Sequence, residues 1–145
     1  MIFLADGNGT CAPITWKSHK LQRVVKSTLA AETLAFQEAA ETSVWIREIT
    51  REMLGLPDEP EILPVRSVTD SKSLFDSIQS KKTVTDRRLK IDICTIRDMM
   101  KRKEINGVHW VSTDMQLADC LTKSGASSQK LLDVLCGKVA LPFSQ

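Results

Sequence analysis

No Cys-x-x-Cys pair occurs in this sequence. Its four cysteines, Cys11, Cys94, Cys120 and Cys136, lie far apart, and its two histidines, His19 and His109, are isolated. The ligand spacing of a zinc site is therefore missing, and no spacing supports a Cys–His nucleophile pair. The cysteines read as reduced core residues in a reducing compartment. Also missing is any apolar run near the roughly 20 residues that cross a bilayer. Met1–Ala5 is too short for a signal h-region and has no basic n-region before it. A soluble intracellular protein with no membrane partner is expected. Internal repeats and low-complexity segments are absent, and net charge is only +2, so overall electrostatics says little about partners.

What is present is enough for a folded α/β domain. The chain has 145 residues, 42% of them apolar, which suits one domain with a real core. Ile2–Leu4 and Ile14–Trp16 read as strands around the turn signal Asp6-Gly7-Asn8-Gly9, an opening hairpin with a long tip. Ser27-Thr28 and Gly55 bracket a long helix whose stripe runs Ala35, Ala39, Thr42, Ile46, Ile49, Met53. Val65–Thr69 is a strand candidate, followed by a short helix to about Ser80 and a polar loop, 81–86. Leu89, Ile93, Ile96 and Met100 mark another helix, stopped by Asn106-Gly107, and Val108–Val111 is the last strand. Thr113-Asp114-Met115-Gln116 has the form of a capping box and predicts a helix through Leu121; the tail, 124–145, holds one short helix, Lys130–Leu135. The opening hairpin makes the strands mixed rather than purely parallel.

Three acids stand out by position. Glu32 lies three residues before Ala35 and extends the helix stripe, where a carboxylate is costly unless compensated. Asp70 sits at the carboxyl end of a strand, and Asp119 in the opening turns of a helix after another strand. Strand ends and helix starts gather at one rim of an open α/β sheet, where ligands bind. Carboxylates from separate elements suit hard divalent cations such as Mg²⁺, and paired cations clamp both oxygens of a phosphodiester displacement. Each acid also has an ordinary reading: Asp70 as a helix cap, Asp119 as a surface acid near a positive helix end, Glu32 turned out of its stripe. Basic residues cluster at Lys17, His19, Lys20, Arg23 and Lys26, at Lys81, Lys82, Arg87, Arg88 and Lys90, and at Lys101–Lys103. Such clusters suit a phosphate backbone, or simply a solvated face.

Four segments carry a family resemblance. Val24–Ala35, around Ser27-Thr28-Leu29-Ala30-Ala31-Glu32, resembles the Ser-Ser-Thr-Glu-Ala-Glu-Tyr segment of copia-type retrotransposon ribonuclease H domains. Thr69-Asp70-Ser71-Lys72-Ser73-Leu74 resembles their Asp-Asn-Gln-Ser-Ala motif. Arg88-Leu89-Lys90-Ile91-Asp92-Ile93 resembles their Lys-His-Ile-Asp-Ile motif, with the Lys-His pair replaced. Gln116-Leu117-Ala118-Asp119-Cys120-Leu121-Thr122-Lys123 is similar, almost residue for residue, to their Gln-Leu-Ala-Asp-Ile-Leu-Thr-Lys signature. The resemblance covers residues 1–123, in order and at family spacing.

It implies a ribonuclease H-like fold, a mixed five-stranded sheet with flanking helices, and metal-dependent cleavage of the RNA strand of an RNA–DNA hybrid. It implies Mg²⁺ or Mn²⁺ as cofactor, Glu32, Asp70 and Asp119 as catalytic and metal-holding acids, and a fourth acid on the first strand. Lys17, Lys20, Arg23, Lys81, Lys82, Arg87 and Arg88 become the candidate hybrid contacts. The implied partners are the hybrid and the reverse transcriptase domain of the same polyprotein, in a cytoplasmic particle or the nucleus. Met1-Ile2-Phe3-Leu4 matches the family's second strand, so the first, central strand and its Asp are expected to be missing, with two strands left on each side. Phe3-Leu4-Ala5-Asp6-Gly7 superficially resembles a first-strand Asp-Gly. Asp6 is nevertheless read as the hairpin tip, because only one strand fits between it and the helix of Glu32. The alternative function is a catalytically incomplete fragment or a non-catalytic hybrid-binding tether; a DNA-cutting transposase or integrase of the same fold is disfavoured by the Gln116–Lys123 signature.

Overall fold

Helix α1 (Thr28–Leu54) is the longest element of the chain, in a computed structural model that describes residues 1–80 and 84–141. Its ends are the expected ones. The Ser27 Oγ accepts the Ala30 N–H at 3.1 Å, satisfying one of the orphan donors of the first turn. Gly55 closes the helix at φ +63°, a left-handed conformation that costs a glycine no Cβ clash. The buried face is not the expected one. Ala35 and Ala39 are exposed, and Met53 is 80% exposed. The buried line is instead Ala30, Thr33, Phe36 and Ala40, on the opposite side of the helix. Two small-to-apolar stripes run along α1, and periodicity does not rank them. The one carrying the Phe36 ring goes inward, and Thr33 hides its hydroxyl there by donating to the Leu29 carbonyl at 2.7 Å.

The chain is mixed α/β, and its described strands pair two and two rather than in one mixed sheet. It divides into two compact units, 21–110 and 1–20 with 111–145. In the first, β3 (Arg66–Thr69) pairs in parallel with β4 (Gly107–Trp110), and α2 (Lys72–Gln79) and α3 (Arg87–Lys101) lie between them in sequence. The ladder runs from Arg66↔Gly107 to Thr69↔Trp110. Asn106 extends it by one position: its Oδ1 accepts the Val65 N–H at 2.9 Å and its own N–H donates to the Val65 carbonyl at 2.8 Å. Phe36 and Ala40 of α1, Leu74 and Ile78 of α2, Ile96 and Met99 of α3, and Val65, Ile105 and Val108 form one core. Helix α3 ends at Lys101, earlier than Asn106-Gly107 suggests, because Lys103 turns left-handed at φ +59° and the Glu104 N–H returns to the Met99 carbonyl.

Three arginines tie this unit together. Arg97 of α3 donates to the Ser77, Ile78 and Ser80 carbonyls and so closes the C-terminal end of α2. Arg47 of α1 donates to the Glu104 carbonyl at 2.9 Å, ahead of β4. Arg23 grips both carboxylate oxygens of Asp92 on α3. Asp92 is only 5% exposed, so the paired guanidinium offsets a desolvation that would otherwise be severe.

In the other unit, β1 (Ile2–Ala5) and β2 (Cys11–Thr15) form an antiparallel hairpin. Its tip is organised by Asp6, whose carboxylate accepts the Asn8 N–H at 2.9 Å and the Thr10 N–H at 2.8 Å. Asp6 thus belongs to the turn, as read from the sequence. Cys11, Val134 and Leu141 form a small core with Phe3, Leu117 and Leu135 packed on it, the last from α4 (Gln129–Leu135). Of the four cysteines only Cys11 is buried; Cys94 and Cys136 are exposed, which corrects their reading as core residues. The Thr113 capping box does not form. Residues Thr113–Met115 and Leu117–Leu121 are two short 3₁₀ turns, because Gln116 between them is extended at φ −76°, ψ 103°.

Arg23→Met should cost about 1–2 kcal/mol in urea unfolding, by leaving Asp92 buried without its donors. The lower part of the usual range applies because the Arg23 side chain is 40% exposed. Arg88→Met, an exposed control, should stay within about 0.5 kcal/mol; equal losses at both sites would deny the pair its role. Asp86 caps α3, and its carboxyl is held below the usual range, first by the Leu89 N–H and then by the Arg88 N–H and nearby cations. A depressed folded-state value stabilises above the unfolded carboxylate value and fades as pH falls through the folded one. Asp86→Ala should therefore melt lower at neutral pH, and the two melting temperatures should converge under acid; a gap unchanged by acid would contradict this.

Candidate functional site

Asp70 follows the last residue of β3 directly, where the parallel ladder ends at the Thr69↔Trp110 pair. It is half-buried. It is not the cap of α2: Ser71 is, its Oγ accepting the Leu74 N–H at 3.4 Å. The helix-cap explanation of Asp70 thus falls away, and its carboxylate is not used to start the next helix. The Asp70 main chain is held instead by Trp110, whose indole N–H donates to the Asp70 carbonyl at 3.1 Å. Lys72 completes this corner. Its Nζ lies 5.3 Å from the Trp110 ring centroid, 4.9 Å from that of Phe75, and 3.1 Å from the Asp76 carboxylate. An acid, a cation and an aromatic ring thus meet at the carboxyl end of two parallel strands, the usual ligand rim of such sheets.

Glu32 lies on α1, one position before the buried Thr33, and is exposed. This corrects its placement on the core-facing stripe. The carboxylate that does face a core is Asp92, at the i+3 position from Leu89 and the i−4 position from Ile96. A carboxylate in an apolar stripe needs compensation, and on α3 that carboxylate is Asp92, marked in the sequence by Leu89, Ile93 and Ile96 around it. Trp110 is the other residue missed; the signal available was its place at the end of the last strand.

Asp119 belongs to the second 3₁₀ turn, and its carboxylate pairs with Lys123 Nζ at 2.6 Å. Its side chain is 22% exposed and that of Lys123 54%, so water and other cations reach the pair. Glu32 and Asp70 belong to the unit 21–110, and Asp119 to the other. Among the described residues, no three His, Cys, Asp or Glu form a group that could hold a metal ion. In donor chemistry the three expected acids do fit Mg²⁺ or Mn²⁺, since each offers hard carboxylate oxygens and none is sealed in a core. The Cys11 thiol is pushed up by burial and further by Asp6, which makes it a poor nucleophile.

Of the basic residues expected to meet phosphates, Arg23 is committed to Asp92, while Lys17, Lys20, Arg87 and Arg88 are exposed. Lys81 and Lys82 lie outside the described residues. Comparisons with protein-family models, with curated proteins and with solved structures find no match to this chain.

Proposed function

We propose that this chain carries a ribonuclease H-type site of a copia-like retrotransposon polyprotein, hydrolysing the RNA strand of an RNA–DNA hybrid during reverse transcription. The observation that carries the reading is the position of Asp70. It directly follows a strand of a parallel pair, is not the cap of the following helix, and lies within the Thr69–Leu74 motif. The order of elements supports the same reading: an antiparallel hairpin, a long helix, then a parallel pair with two helices between its strands. The resemblance also calls for a fourth acid, on a further strand.

Asp70, Glu32 and Asp119 are the residues that would hold Mg²⁺ or Mn²⁺. When bound, these ions supply an activated water and neutralise charge on the scissile phosphate. Asp119 exchanges its Lys123 partner for that role, a small change for an exposed pair worth about 0–1 kcal/mol. Lys17, Lys20, Arg87 and Arg88, with Lys81 and Lys82, hold the hybrid by its phosphates, and contact with phosphates gives affinity without sequence preference. The reverse transcriptase domain of the same polyprotein delivers the hybrid. A second reading, a hybrid-binding module that does not cut, is favoured by the Asp119–Lys123 pair, which occupies one of the three acids.

The test is cleavage of an RNA–DNA hybrid in Mg²⁺, by the chain alone and with an Asp-bearing strand joined ahead of it. Cleavage should appear with the added strand, and Asp70→Asn should lower its rate by about 100-fold or more. Salt-sensitive hybrid binding with no cleavage in either form would select the non-cutting module. Efficient cleavage by the chain alone would show that no fourth acid is needed from an added strand.

A further inference from the structure

Trp110 stands apart from the other two tryptophans. Trp16 and Trp45 are 63% and 64% exposed, whereas Trp110 keeps 44% exposure although its indole N–H is engaged. A bond to the Asp70 carbonyl fixes the ring, and a cation lies 5.3 Å from its centroid. An exposed aromatic ring usually carries a cost in water, and here it is held in one orientation at the rim where the ladder ends.

We propose that Trp110 is a stacking platform for a nucleobase, with Lys72 as the phosphate contact of the same nucleotide. The proposal rests on the reading of this chain as a nucleic-acid enzyme and adds to it the form of nucleic acid that this rim takes. Every base has a π-face, so an oriented indole binds bases with little sequence preference. The Lys72 side chain is 58% exposed and its ion pair is with Asp76, itself 59% exposed, so a phosphate can compete for it in open solvent. An anionic ligand with a planar ring engages both groups together, and a neutral sugar offers the lysine no opposite charge. Within a duplex each base face is covered by its neighbours. The platform therefore selects an unpaired nucleotide, at a frayed end or in a single-stranded extension, beside Asp70.

The experiment uses the full chain with Trp16→Phe and Trp45→Phe, which leaves Trp110 as the only indole. It is titrated with a single-stranded oligouridine of about eight nucleotides, within the usual span of such sites, and with a blunt-ended RNA–DNA hybrid. Saturable quenching of Trp110 by the single strand is expected. In the otherwise unaltered chain, Trp110→Ala should weaken oligouridine about tenfold, as loss of one stacked base does, and change affinity for the blunt hybrid less than twofold. Trp110→Phe keeps a ring but loses the bond that orients it, so its affinity should fall between those of the parent and Trp110→Ala, which separates stacking from a fault of folding. Lys72→Gln should lower the salt slope of oligouridine binding by about one unit. Oligouridine affinity within twofold of the parent in Trp110→Ala, with unchanged melting, would overturn the proposal and leave Trp110 as a fastener between β4 and α2. The nuclease reading is scored separately, by Mg²⁺-dependent hybrid cleavage. Cleavage without quenching overturns only the platform, quenching without cleavage overturns only the nuclease, and neither signal overturns both.

Discussion

The unit 21–110 depends on a short parallel ladder, four residue pairs from Arg66↔Gly107 to Thr69↔Trp110. Parallel strands cannot be joined by a tight turn, so the chain between them must travel out and back, and here it does so as α2 and α3. A two-stranded sheet is marginal by itself in water. It persists because α1, α2 and α3 share one core with Val65, Ile105 and Val108, and because Asn106 accepts the Val65 N–H with its side-chain oxygen and donates its own N–H to the Val65 carbonyl. The same ladder determines where Asp70 and Trp110 stand, since both are placed by where it ends.

Charge is used in this unit to hold chain segments rather than to decorate a surface. Arg97, Arg47 and Arg23 each reach a group far away in sequence: the carbonyls that end α2, the turn before β4, and Asp92. In each case a guanidinium, with several donors in a fixed plane, satisfies acceptors that packing has removed from water. Arg23, one of the expected phosphate contacts, is thereby spent on the fold.

Element boundaries were largely legible because local chemistry sets them. Ser27 and Gly55 bracket α1 through a hydroxyl cap and a left-handed glycine, and neither depends on distant residues. The Asp6 turn is local in the same way, its carboxylate meeting amides two and four residues on. What could not be read was decided by tertiary packing. Helix α1 carries two apolar stripes, and the inward one was chosen by where Phe36 finds its core. The segment after β4 looks helical by composition, yet Gln116 is extended and leaves two 3₁₀ turns. The place of Asp70 after a strand was legible from the β-branched residues before it. Glu32 was picked for a burial that belongs to Asp92. Trp110 carries no charge, and what sets it apart is a bond to a main-chain carbonyl, which no sequence pattern shows.

The central proposal is that Glu32, Asp70 and Asp119 bind a divalent cation. Paramagnetic Mn²⁺ tests it directly in the ¹⁵N-labelled chain, because amides near the bound ion broaden first as Mn²⁺ is added at substoichiometric amounts. The account predicts early, selective loss of the Glu32, Asp70 and Asp119 amide signals, reversed by excess Mg²⁺. Broadening that begins at other acids, such as Glu48 or Asp58 near Arg51, or that spreads evenly over the surface, would contradict it.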